Sequence, residues 1–379
     1  MSGRIGRFPL MAVAILSLLA ALWGGLLRLG WQPLSLAPPL AQAHGPLMVC
    51  GFLGTLICVE RAVALGDWWA YIAPLLSGLG ALMLIAGVPG EACPALITLG
   101  SLGLVLNFAV IIRRQTALFT ITMGLGAVAW LVGNCFWLAG RPIPGMIFWW
   151  AGFPVLTIAG ERLELSRVAG PAGRSREMFL IAAALYLAGL IIASFGVVLG
   201  MRLIGVGMIA LTLWLSRYDL ARRTISVPGL TRFIAANLLA GYVWLGASGI
   251  IWCFAAAYSP ARYDAMLHTL FLGFVFSMIF AHAPIIFPAV LGRPLRFSRF
   301  FYAHAVLLHL SLLLRVGGDL IGSFWAYEWG GMFNVLSLLL FVGVTVLAAR
   351  LGAQEQIESR PTARQLPLSG LGTPGVTRG

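Results

Sequence analysis

Four of the five histidines lie between residues 266 and 310, in a part of the chain that is otherwise strongly hydrophobic: His268, His282, His304 and His309. The fifth, His44, lies in another hydrophobic segment near the N-terminus. An ionisable side chain is costly to bury in a lipid bilayer, so each histidine inside an apolar segment is a candidate functional residue. Imidazole nitrogens bind haem iron, copper and zinc. The five histidines therefore predict a metal or haem site, whose form depends on the helices that carry them.

The composition places these histidines in a membrane protein. Of 379 residues, 60% are hydrophobic and only 10% are charged, and the mean hydropathy is +0.95. A soluble protein of this length cannot bury so much apolar surface, so the solvent around most of the chain is lipid. Apolar stretches of about 20 residues predict about twelve membrane-spanning helices, centred near residues 19, 54, 79, 103, 128, 154, 189, 210, 245, 275, 310 and 338.

The predicted fold is thus an all-α, polytopic integral membrane protein. We expect a transmembrane domain at residues 1–350 and a disordered cytoplasmic tail, rich in proline and glycine, at residues 351–379. All 25 basic residues are arginine, and 20 of them fall on one side of the predicted spans. This asymmetry predicts that both termini are cytoplasmic, in a bacterial inner (plasma) membrane. The net charge of +13 then reflects topology and attraction to membrane lipids, and no nucleic-acid partner is predicted.

His44 and His268 are expected to lie at similar depths on two different helices. Both the second and the tenth predicted span run inward, with His44 at the outer end of one and His268 about one turn below the outer end of the other. A haem iron with two histidine ligands needs one from each side. Met48, one turn after His44, offers a thioether or packing, and Gly273 would let a porphyrin approach the backbone. The alternative is that both histidines are hydrogen-bonded structural residues.

The other three histidines predict a second site less directly. His282 follows His268 by fourteen residues, which at 100° per residue puts both rings on nearly the same face, about 21 Å apart along an α-helix. His304 and His309 are about 140° apart, so they are not expected to bind one ion together. One of them could meet His282 at an inner site for copper, zinc or a second haem. Alternatively, His282 satisfies carbonyls freed by Pro284, and the others are structural.

Charged residues also fall inside or beside the predicted spans. Arg315 and Asp319, in "LLLRVGGDLIG", lie one turn apart on the eleventh span. They form either an i,i+4 ion pair or a site where Arg315 neutralises haem propionates at the outer level. The pairs Glu60-Arg61 and Glu161-Arg162 lie at inner helix ends. They are interpreted as interface ion pairs, with a route for proton entry as the alternative.

The segment "HTLFLGFVFSM", followed by "LGRPL", resembles the late-helix signature of the NnrS family, membrane proteins linked to the nitric oxide response. In that signature a histidine is followed by glycine, methionine and Gly-Arg-Pro-Leu, which here are His268, Gly273, Met278 and residues 292–295. "AHGPLM" is similar to that family's early histidine motif and to the second helix of haem–copper oxidases, including nitric oxide reductases. The resemblance implies haem b, copper as a further candidate, His44 as the second ligand, and a bundle like haem–copper oxidase subunit I.

The chain departs from haem–copper oxidases where their catalytic centre would lie. The sixth and seventh predicted spans carry no histidine for copper, and no second histidine stands beside His268. We therefore expect no complete oxidase or nitric oxide reductase and assign no catalytic residue. The resemblance implies a role in nitric oxide response, respiratory electron transfer or metal handling, with a periplasmic cytochrome or quinol as the candidate electron partner. The alternative is a secondary transporter without a redox cofactor, favoured by a division into six and six spans and by helix prolines.

Overall fold

A computed structural model describes residues 7–31, 39–166, 173–254, 260–292 and 295–358. Within these ranges the chain is almost entirely helical and contains no strand. Eleven of the described helices are long and apolar enough to cross a membrane. A helix satisfies its own backbone hydrogen bonds, which lipid cannot do, so this architecture suits the apolar composition. The prediction of an all-α, multi-pass membrane protein is confirmed.

Twelve long helices, some built of consecutive helical segments, occur in the described part of the chain, and each contains one of the predicted span centres. They are α1 (Arg7–Arg28), α2 (Pro39–Pro46, Leu47–Gly54 and Thr55–Leu65), α3 (Trp68–Tyr71 and Ile72–Ile85), α4 (Ala92–Arg114), α5 (Leu118–Leu138), α6 (Ile147–Ser166), α7 (Gly173–Ala193), α8 (Val197–Tyr218), α9 (Leu230–Phe254), α10 (Pro260–His268, Thr269–Phe276 and Ser277–Leu291), α11 (Phe301–Ile321) and α12 (Phe324–Glu358). The helix outside the eleven apolar ones is α6, which carries three charged residues near its end: Glu161, Arg162 and Glu164.

The last helix continues past the predicted end of the transmembrane domain. Helix α12 ends at Glu358, so residues 351–358, the first part of the predicted tail, are helical. The sequence "LGAQEQIE" explains this, since leucine, alanine, glutamine and glutamate all have good helix propensity. The rest of the predicted tail, residues 359–379, lies outside the described residues, as do Arg293 and Pro294 of the Gly-Arg-Pro-Leu motif.

Helices α2 and α10 come together inside the bundle. Helix α2 packs against α1 and α3, and α10 packs against α9, α11 and α6 and also reaches α1 and α2. The rings of Phe52 on α2 and Phe276 on α10 stack with their centroids 5.8 Å apart. Each phenylalanine follows the histidine of its own helix, His44 or His268, by eight residues. The two histidines are therefore brought to the same level of the bundle.

Both α2 and α10 widen into a π-helical segment directly after their histidines. These segments are Leu47–Gly54 and Thr269–Phe276. In a π-helix the hydrogen bonds run from residue i to i+5, and such segments occur frequently at functional sites. A glycine in each makes room for an indole: a Cβ atom on Gly54 would collide with Trp130, and one on Gly273 would collide with Trp244.

Candidate bis-histidine site

The rings of His44 and His268 lie next to each other, nearly parallel, at the interface of α2 and α10. Their ring centroids lie 6.4 Å apart, with 23° between the ring planes. A bond between a metal ion and an imidazole nitrogen is about 2.0–2.1 Å long. Two rings on opposite sides of one ion therefore have their ligand nitrogens about 4 Å apart. The distance between the two ring centroids is roughly 2 Å longer than that between the nitrogens. The observed separation is the one expected for a single metal ion between them. The structure thus brings together the pair predicted from the sequence.

Both rings make their hydrogen bonds within the protein through Nδ1, so that Nε2 is the nitrogen left for a metal ion. The Nδ1 atom of His44 lies 2.7 Å from the carbonyl oxygen of Ala21 on α1. The Nδ1 atom of His268 lies 2.9 Å from the carbonyl oxygen of Asp264 and 3.1 Å from its carboxylate. Because a carbonyl oxygen only accepts hydrogen bonds, each neutral ring carries its proton on Nδ1 and keeps a lone pair on Nε2. Metal-binding histidines are typically oriented in this way.

Asp264 connects the His268 ring to a buried arginine. Its carboxylate accepts two hydrogen bonds from Arg315, at 2.8 Å from Nε and 2.9 Å from Nη2. The Arg315 guanidinium also lies over the ring of Tyr327, with 5.3 Å from Cζ to the ring centroid. Such a two-pronged pair is rigid and fixes the carboxylate. Asp319, the predicted i,i+4 partner of Arg315, is not the carboxylate that accepts these hydrogen bonds. Asp264 on the neighbouring helix accepts them from both Nε and Nη2 of the guanidinium.

Asp264 is a site residue that the sequence reasoning missed. A usable signal was present, since Asp264 precedes His268 by four residues in "YDAMLH". That spacing puts both side chains on one helix face. The third member, Arg315, comes from another helix, and no local pattern pairs it with Asp264.

A cavity of about 710 Å³ adjoins both histidines. Such a volume is within the usual range for small-molecule and cofactor sites. Its lining combines polar and apolar residues: Arg28, Gln42, Arg315, Asp319 and Tyr327 belong to the first group, and Leu53, Ile147, Phe276 and Leu338 to the second. Gly45 also lines it, and a Cβ atom added there would have no neighbour within 4 Å. Open space with both polar and apolar walls therefore lies beside the rings.

The two accessory residues predicted for the site have different outcomes. Met48 lines the cavity together with the histidines. Gly273 is not among the residues that line the cavity, and its missing side chain makes room for Trp244. The indole of Trp244 in turn donates a hydrogen bond of 3.0 Å to Nδ1 of His309. His309 is thus engaged in packing between α9 and α11.

His282 belongs to a set of charged and polar residues from α2, α6, α10 and the end of α8, here called the charged layer: Glu60, Arg61, Glu161, Arg162, Asp219 and His282. Its Nδ1 lies 2.7 Å from the carbonyl oxygen of Met278, and its Nε2 lies 3.5 Å from Nη1 of Arg162. Arg162 also holds Asp219 with two hydrogen bonds of 2.7 and 2.9 Å. Arg61 contacts Glu60 and Glu161, both at 2.6 Å. Ion pairs between helices, as predicted, account for these charges.

His304 has different surroundings again. Its side chain is fully buried, and its ring lies edge-on to Phe280 at 4.5 Å. Neither ring nitrogen has a hydrogen-bond partner in the described residues. Those residues also contain no group of three or more histidine, cysteine, aspartate or glutamate side chains placed for a metal ion.

The structure therefore does not bring His282 together with His304 or His309 at an inner metal site. The expected common face of His268 and His282 assumed 100° per residue. Eight of the intervening residues are π-helical, and their wider turns change the angle.

In comparisons with known proteins, one family model matches nearly the whole helical bundle. No curated protein matches the chain. The family model matches residues 7–350, a range that contains His44, Asp264, His268 and Arg315. The chain therefore belongs to the family described as a domain of unknown function (DUF8744).

Proposed function

We propose that this protein binds one b-type haem between His44 and His268 and is a membrane haem protein of nitric oxide response, respiratory electron transfer or metal handling. The observation that carries the proposal is the distance of 6.4 Å between two nearly parallel imidazole rings. The likeness of "HTLFLGFVFSM" and "AHGPLM" to NnrS proteins supplies the biological context.

The residues present fit a haem in several respects. Both rings have Nε2 available, because Nδ1 is used by Ala21 and Asp264. The adjoining cavity has apolar side chains for a porphyrin and polar side chains for its carboxylates. A haem supplies one-electron chemistry at iron, while the protein sets its axial ligands and surroundings. His44 and His268 would both be used as ligands of the iron, and a haem held in this way would suit electron transfer better than binding of a gas.

The Asp264–Arg315 pair acts on the His268 ligand. A carboxylate that accepts a hydrogen bond from Nδ1 fixes the tautomer and the ring orientation and makes Nε2 more basic. Arg315 neutralises this carboxylate in a mostly buried position. The pair therefore holds His268 ready for a metal ion without leaving an unbalanced charge in the bundle.

The proposal includes twelve spans, arranged as in haem–copper oxidase subunit I, with both termini cytoplasmic in a bacterial inner membrane. Helix α6 is the twelfth span, because its charged residues Glu161 and Arg162 are paired with Arg61 and Asp219 of other parts of the bundle. A periplasmic cytochrome or a quinol would exchange electrons with the haem. Copper is the second candidate for the same site, since two imidazoles and the thioether of Met48 suit Cu(I).

The test is to quantify haem and metals in the purified protein and to record its absorption spectrum. We expect one haem for each chain, with a low-spin spectrum that is lost in His44→Ala and in His268→Ala. His282→Ala, on the same helix as His268, is the matched control and should keep the spectrum. A colourless protein without metal would overturn the proposal and favour a transporter without a redox cofactor. If the purified protein contains copper but no haem, the bis-histidine site is retained in the proposal and copper replaces haem as its ligand.

A further inference from the structure

Two arginines, Arg28 and Arg315, line the cavity, and they differ in the contacts that they already make. Arg315 gives two hydrogen bonds to Asp264 and lies over Tyr327. Arg28, in the last turn of α1, also lines the cavity, but it makes no hydrogen bond or ion pair with any residue that the structure describes. Arg315 therefore has Nε and Nη2 committed to Asp264, whereas the whole guanidinium group of Arg28 is available to a ligand.

The acidic residues of the cavity strengthen this distinction. Asp264 and Asp319 both line it on the Arg315 side. Asp319 is 9% exposed, and its Oδ2 atom has no hydrogen-bond partner in the described part of the protein. The charge of Arg315 is already balanced by the carboxylate of Asp264, so a ligand carboxylate gains less there. The positive charge of Arg28 has no such partner among the described residues, and it would attract a carboxylate.

We propose that Arg28, rather than Arg315, binds a carboxylate of the molecule held between His44 and His268. The inference rests on the proposed function and deepens it, because it identifies the ligand class as a carboxylate-bearing porphyrin and fixes which edge faces Arg28. Arg315 is then a positioning residue for Asp264 and His268. The side chain of Arg28 is exposed, so its substitution should leave the fold intact.

The experiment compares two porphyrins on the apoprotein. Haem b and its dimethyl ester, in which both carboxylates are esterified, are titrated while the Soret absorbance is followed. Arg28→Gln should weaken binding of haem b by about fivefold, as expected for the loss of one exposed ion pair, and should leave binding of the dimethyl ester unchanged. Arg28→Lys should restore most of the affinity. Arg141→Gln is the control, since Arg141 is also exposed but packs over Phe136, outside the cavity.

The possible failures are distinguishable. If the unsubstituted protein binds neither porphyrin, the haem function itself is overturned, and this inference with it. If it binds both, and Arg28→Gln leaves their affinity ratio unchanged, the haem site stands and the role of Arg28 is rejected. A fivefold loss for haem b that is equal for the ester would also reject that role, because the effect would not depend on the carboxylates.

Discussion

The same two helices, α2 and α10, carry two polar levels that are organised in opposite ways. At one level, His44 and His268 turn toward each other, use only Nδ1 within the protein and border a cavity. At the other, in the charged layer, Arg61 and Arg162 bridge carboxylates on different elements, and His282 is bonded at both nitrogens. The helices are shared, so the difference lies in what surrounds each side chain.

The histidine pair has the features expected of a binding site, whereas the charged layer connects helices within the protein. Buried polar groups are costly unless they are paired, and the charged layer meets that cost with its own members. At the histidine pair, by contrast, Nε2 of each ring has no hydrogen-bond partner among the described residues, and both rings border the cavity. The occurrence of histidine in an apolar helix is therefore weaker evidence for a cofactor than an unused lone pair beside a cavity. The following predictions test whether the two levels are independent.

The largest effect is expected in the charged layer. Arg162→Ala leaves the carboxylate of Asp219, whose side chain is fully buried, without its partner. Removing one member of a buried ion pair typically costs about 3–5 kcal/mol, so the free energy of unfolding in detergent should fall by this amount. The haem content of the protein that remains folded should be unchanged. Loss of haem from folded Arg162→Ala protein would show that the two levels depend on each other.

A smaller loss of stability is expected from Gly273→Ala in the π-helical segment of α10. The added methyl group collides with Trp244, and overpacking of this kind costs about 1–3 kcal/mol. Gly343→Ala on α12 is the matched control, because its Cβ atom meets nothing within 4 Å. Denaturant titration of both variants makes the comparison. Equal stability of the two would contradict the close packing of this segment.

A change in redox potential should distinguish the carboxylates of the two levels. Asp264→Asn removes the carboxylate charge that lies beside Nδ1 of His268. The imidazole then becomes a less basic ligand, which disfavours the ferric state of the iron. The midpoint potential should rise by about 59 mV, which corresponds to a tenfold change for a one-electron couple. Asp219→Asn in the charged layer should leave it unchanged. Spectroelectrochemical titration measures both, and an equal shift in the two variants would contradict a specific role for Asp264.

The smallest effect is expected at Met48. Met48→Leu conserves volume and apolar character, so stability should change by less than about 1.5 kcal/mol, and haem content and spectrum should stay the same. If Met48 ligates copper, the variant should instead lose bound copper in metal analysis. This measurement decides between a packing role and the copper alternative.

Much of the fold could be predicted because lipid imposes strong rules on the sequence. Stretches of about 20 apolar residues locate helices, and all twelve predicted centres lie within described helices. The meeting of His44 and His268 followed from their equal depth on helices of the same direction. Both inferences need only length and hydrophobicity, which a single sequence contains.

The missed features depend on contacts between helices or on departures from α-helical geometry. Arg315 pairs with Asp264 rather than Asp319 because a neighbouring helix offers better geometry. Gly273 accommodates an indole from α9, which no motif on α10 indicates. The angular argument for His282 assumed α-helical turns, which the π-helical segment between His268 and His282 does not have. Such details need the three-dimensional arrangement.

The widened turns that follow both histidines have a consequence for how this site changes by insertion and deletion. A π-helical turn holds about one residue more than an α-helical turn, so loss of one residue from Leu47–Gly54 with return to ordinary turns would keep His44 on nearly the same face of α2. Loss of one residue from the α-helical part Thr55–Leu65 has no such compensation, and it would rotate His44 by about 100° and move it by about 1.5 Å relative to the C-terminal end of α2. A relative with a one-residue gap in Leu47–Gly54 is therefore expected to keep the histidine pair, and one with a gap in Thr55–Leu65 is expected to lose it.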